Sequence, residues 1–117
     1  MQVSDIKFVS EAEPKETYLP SDEKIVSGTP EQNLWNNYSS SDDKFHVGVW
    51  DSKAGRWNIN YTEHEFCHIL EGESIIHDKN GTKLSIKAGD QFVIPAGFSG
   101  DWEVPNYCKK IYVIYEA

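Results

Sequence analysis

From residue 28 onward, apolar and polar positions alternate in short runs, broken by turn-forming residues roughly every eight to twelve positions. That rhythm is the signature of an all-β sandwich or barrel. Period-two alternation predicts strands over 34–38, 44–50, 56–61, 63–70, 74–77, 83–86, 91–94, 101–104 and 109–115. The breakers between them are SSSDD, DSKAG, EGE, KNG, AGD, PAGFSG and VPN. Asn80-Gly81 predicts a two-residue hairpin turn, because both residues tolerate positive φ. No stretch sustains a 3.6-residue apolar period, so any helix is short. Residues 1–27 read differently, as an N-terminal arm. It holds one strand-like apolar piece, 6–9, expected as an edge strand, followed by an acidic loop with two prolines. The arm is expected on the surface or against a partner subunit, and residues 28–117 are expected to form one barrel domain.

Composition sharpens this picture. At 117 residues the chain fills one domain and can bury a real core. Four Trp, six Tyr and five Phe favour pleated, half-buried strands. Nineteen acidic residues against eleven basic ones give a formal charge of −8. Nucleic-acid binding needs a basic footprint, and the only adjacent basic pair is Lys109-Lys110. An anionic membrane surface would repel such a chain. No apolar run approaches the length of a membrane-spanning helix, and the first residues lack the pattern of a signal peptide. Two cysteines, Cys67 and Cys108, make no disulfide framework. The expectation is a soluble, reduced, cytoplasmic protein with no nucleic-acid or membrane partner.

The segment EFCHILEGESIIHDKNGTKLSIKAGDQFVIPAG has a definite grammar of strands and Gly turns. It resembles the cupin superfamily, small jelly-roll barrels. Glu65, with Gly72 seven positions on, fits the carboxylate of the first cupin motif, and Gly89, Pro95 and Gly97 fit the second. The runs YTEHEFCHILEG and IPAGFSGDW look like one group of small single-domain cupins similar to the cupin domain of ureidoglycine aminohydrolases. The resemblance implies an all-β, single-domain cupin with a double-stranded β-helix (jelly-roll) barrel. It also implies a site for one divalent metal (Mn, Fe, Ni or Zn), held by two or three His and a Glu. Here the motif-one histidine positions fall on Asn58 and Asn60, or on Ile59 and Tyr61, and the motif-two histidine falls on Gly100. Only Glu65 remains, so no metal site of the usual kind is expected. If a metal binds at all, Glu65, Tyr61 and Asp101 are its expected ligands.

Alternation indicates what faces the pocket instead. With Glu65 pointing inward, Tyr61, Glu63, Cys67 and Ile69 follow it. Two carboxylates in one row split their pKa values and can serve as acid and base, which makes Glu65 and Glu63 the candidate catalytic pair. Tyr61 can donate to a ligand carbonyl or simply pack. Cys67 is a nucleophile only with a cation beside it, and is otherwise a small buried hydrophobe. Gly100 leaves space at the motif-two position, where Phe98 and Trp102 can supply aromatic walls. His64 and His68 lie about 13 Å apart on a strand, on the face opposite Glu65, too far apart to chelate one ion. Arg56, the only arginine, can clamp a carboxylate or pair with a surface acid.

Three functions compete. The first is binding of a small polar metabolite in the barrel, through Tyr61, Glu63, Glu65, Cys67, Phe98 and Trp102. The second is metal-dependent chemistry on a nitrogen-rich small molecule, similar to the aminohydrolases. The third is a structural or accessory subunit. The missing histidines favour the first. The resemblance further implies a homodimer.

Overall fold

The computed structural model describes residues 1–12 and 14–117, so Glu13 of the acidic loop lies outside the described residues. A single short 3-10 turn, Val3–Asp5, precedes eight strands. They are β1 (Glu16–Tyr18), β2 (Ile25–Gly28), β3 (Gln32–Ser39), β4 (Phe45–Asn60), β5 (His64–Asp78), β6 (Lys83–Lys87), β7 (Gln91–Ile94) and β8 (Ser99–Tyr115). All pairings are antiparallel, in the order β1-β3-β4-β8-β5-β6, with β2 on β4 and β7 on β5.

Three pairs of predicted strands are each one long strand. The breakers DSKAG, EGE and VPN lie inside β4, β5 and β8. Register shifts between Lys53 and Gly55, around Ile69 to Ile75, and the matching skip in β8 mark bulges. A bulge bends a strand without ending it. Each long strand therefore changes neighbours at its bend: β4 pairs first with β3 and then with β2, and β5 first with β7 and then with β6. The result is the jelly roll, with β8 central to both halves. Gly72 makes one corner possible. Its φ is +74°, and a Cβ there would lie 1.8 Å from the Tyr107 carbonyl oxygen.

The Asn80-Gly81 hairpin joins β5 to β6, but its loop is longer than two residues. Only Gly81 has positive φ; Asn80 does not. The Asp78 carboxylate accepts from the backbone N–H groups of Asn80 and Thr82, which holds a wider turn. The strand expected over 6–9 is absent, and Ile6 and Phe8 are exposed. The arm's strands are β1, at the sheet edge, and β2. Ser10 anchors the arm by exchanging two hydrogen bonds of 3.0 Å with Asn37 of β3.

The core lies between the two halves, around Trp50, Trp57, Trp102, Ile69, Ile76, Val104, Cys67 and Cys108. Trp102 is 2% exposed, and its indole N–H donates to the Ser74 hydroxyl at 3.0 Å. Among the described residues no helix is long and apolar enough to cross a membrane.

Candidate functional site

A cavity of about 510 Å³ opens into the barrel on one side of this core. Its floor is a buried ion pair. Lys110 of β8 places Nζ 3.0 Å from Glu65 Oε2, and each residue is 4% exposed. The pairing follows from register: Glu65 stands opposite Ile114 on β8, so Lys110, four residues back, shares its face. The ammonium also lies 4.6 Å from the Trp50 ring and 4.2 Å from the Trp102 ring. Two indoles and a carboxylate thus enclose one cation, which suits the negative faces of the rings.

Burial alone would push the Lys110 ammonium down, but the hydrogen-bonded Glu65 carboxylate, joined by the Cys67 sulfur only where that thiol ionises at high pH, more than reverses this and holds it above the ordinary lysine range. Burial pushes the Cys67 thiol up to about 12, only partly offset by Lys110. The thiol is therefore protonated at neutral pH, and Glu65 is the charge that keeps Lys110 ionised. Tyr61 completes the group by donating from its hydroxyl to Glu65 Oε1 at 2.5 Å. Burial, then the Glu65 charge, raise its phenol well above the usual range. The PAGF turn fixes Tyr61 from behind: its N–H donates to the Phe98 carbonyl at 2.8 Å, and its carbonyl accepts from Gly97.

The structure brings together Tyr61, Glu65 and Trp102 on the cavity wall and does not bring the other candidates there. Thr62 and Glu63 form a bend just ahead of β5, which starts at His64. Burial still alternates through this bend, with Tyr61 and Glu63 half-buried and Thr62 and His64 exposed, but Glu63 does not line the cavity. Cys67 faces inward but is fully buried beneath the floor. Phe98 packs against the core from the turn. Nor is Gly100 an open space: a Cβ there would meet the His77 carbonyl oxygen at 2.0 Å.

The metal set Glu65, Tyr61 and Asp101 is not assembled either. Asp101 neighbours Trp102 on β8 and so faces the other way, accepting from Arg56 Nε at 2.9 Å and Asn58 Nδ2 at 2.6 Å. Both Glu65 oxygens are already engaged, by Lys110 and Tyr61. Among the described residues no three His, Cys, Asp or Glu gather where a metal could bind. The residues present do not fit a divalent ion. His64 stacks on Tyr115 on the outer face, and His77 pairs with Glu103 at 2.7 Å.

Sequence reasoning missed Lys110, Gln32 and Tyr18. Lys110 falls on the inward parity of the last predicted strand, a rare place for a lysine and the one signal available. Tyr18 comes from β1, inside the presumed arm.

Residues 39–112 match the EutQ-like cupin domain. The chain belongs to that family. EutQ proteins described as acetate kinases are similar to it: that of Salmonella typhimurium is 34% identical over 68 residues, and that of Clostridioides difficile 37% identical over 62. These stretches cover 58% and 52% of this chain but only 28% and 37% of the relatives. This EutQ-like cupin thus spans about a third of the length of the curated relatives it matches. A solved Pseudomonas syringae protein of unknown function, from the DUF861 family, superposes with a TM-score of 0.80 at 21% identity. It covers 91% of this chain and 46% of its own, a likeness of fold.

Proposed function

We propose that this cupin binds a small polar metabolite in its barrel cavity, without a metal. One observation carries the reading: a cavity of ligand size with indole walls is floored by a charge-balanced, hydrogen-bonded group, Lys110–Glu65–Tyr61. The same chemistry speaks for binding over turnover. The thiol is protonated, the amine is charged, and Glu65 is committed to two partners, so the floor offers neither an activated nucleophile nor a free base. Because the EutQ relatives are named acetate kinases, acetate and ATP belong among the compounds to be tested.

Trp50, Trp57 and Trp102 line the cavity, so occupancy should change tryptophan emission. A screen of small polar metabolites, with acetate plus ATP included, should yield at least one compound that raises the melting temperature, shifts the emission and is recovered unchanged. Ile59→Trp, which fills the cavity from β4, should abolish both effects. Absence of any hit, or persistence of hits in Ile59→Trp, would overturn the reading. Conversion of a hit would replace it with the enzyme reading.

We further infer a homodimer. Register aligns Tyr38, Val47, Val113, Phe66 and Val93 in one outward row across five strands. Tyr38 is 42% and Val93 60% exposed, beside the bare Phe8 of the arm. A contiguous apolar band of this kind on a small sandwich calls for cover. Sedimentation equilibrium should return about twice 13.4 kDa, and a stable monomer would refute the pairing.

A further inference from the structure

Gln32 opens β3 on the cavity wall, opposite Tyr18 of β1 and Ser52 of β4, and is 4% exposed. Its amide orientation is fixed. The Trp50 indole N–H donates to Oε1 at 2.9 Å, and because an indole can only donate, the oxygen must face it. That leaves Nε2 with two N–H groups. It is the only buried side-chain N or O atom among the described residues without a partner. Buried donors are almost always satisfied, and one left open just beneath the surface of a cavity-lining residue asks for an acceptor that reaches it once the packing over it shifts slightly.

Charge narrows the choice of acceptor. The cation seat between Trp50 and Trp102 is already filled by Lys110, so a second cation would be repelled. The Lys110 charge is balanced by Glu65, so a buried carboxylate ligand would bring a net negative charge with no free counterion beside it. Glu16 at the mouth adds a further negative charge, while His46 is held by Ser39 and the Asp43 carbonyl. A neutral acceptor avoids both penalties, and the indole walls favour a flat body.

We infer that the cavity selects an uncharged, planar carbonyl compound whose oxygen accepts from Gln32 Nε2. The inference rests on the binding reading above and specifies its ligand class.

Three isosteric probes test it on the full chain: benzamide, benzoate and benzamidinium, followed by tryptophan emission and saturation-transfer NMR. Benzamide should bind about tenfold more tightly than either charged probe. Gln32→Met, with folding checked by circular dichroism, should weaken benzamide about tenfold. Gln32→Glu should lose benzamide and gain benzamidinium. The inference is overturned if a charged probe binds as well as benzamide, if Gln32→Met binds benzamide unchanged, or if none of the three binds. In each of these cases the metabolite screen and the Ile59→Trp control still decide the cavity reading independently.

Discussion

Replacing Lys110 with methionine should destabilise the fold by about 3–5 kcal/mol, the cost of leaving one member of a buried ion pair alone. Methionine keeps most of the stem's volume, so the loss reports the charge and not a cavity. What remains is a 4% exposed Glu65 with the Tyr61 hydroxyl as its one partner. Glu65→Leu in the same background should recover most of the loss, because an apolar pair of similar volume carries no desolvation penalty. Urea denaturation with unchanged m-values is the measurement, and a Lys110→Met variant within about 1 kcal/mol of the parent would sink the argument. The pH dependence has a definite sign. The folded-state pKa of Lys110 is raised, so the pair's contribution is fully present below the ordinary lysine value of about 10.4 and fades only as pH rises through the folded value. Between pH 6 and 9 the gap between parent and variant should therefore stay flat on account of Lys110.

Much of the fold was legible because period-two alternation and turn chemistry are local. Strands at 83–86 and 91–94 lie within or match β6 and β7, and the YTEHEFCHILEG and IPAGFSGDW runs carried the family likeness. What was not legible is what depends on distant partners. A bulge and a turn look alike in sequence, since both use Gly and small polar residues; only the continuing partner strand tells them apart, which is why β4, β5 and β8 each read as two strands. The arm's strands β1 and β2 are too short to show a period, and they exist because β3 and β4 offer them edges. The site followed the same rule. Glu65 came from motif spacing, Tyr61 from strand alternation out from Glu65, and Trp102 from its turn. Lys110 acquires its meaning from a carboxylate 45 positions earlier and two tryptophans on other stretches, a convergence that no local pattern encodes.

Gly100→His, the substitution that would restore the motif-two histidine of metal-binding cupins, should fail to create a metal site and should destabilise the protein by about 3 kcal/mol or more. The obstacle is backbone. Gly100 pairs with Asp78, and any Cβ at residue 100 would sit 2.0 Å from the His77 carbonyl oxygen and 3.2 Å from the Phe98 ring. That carbonyl cannot swing away cheaply, because residues 75–78 are laddered to 100–103 and His77 is tied to Glu103 at 2.7 Å. Gly100→Ala should therefore cost nearly as much as Gly100→His, which separates a steric cause at Cβ from any effect of the imidazole. Ile59→His is the control: residue 59 occupies a motif-one position, is half-buried and lines the open cavity, so the imidazole has room and the loss should be far smaller. Thermal melts rank the three variants, and elemental mass spectrometry after zinc loading reads the metal. A Gly100→His protein that melts like the parent and holds stoichiometric zinc would overturn both halves of the argument. The ion position of the resembled metal cupins is closed here in two independent ways, by the strand packing at residue 100 and by an ammonium already resting on Glu65.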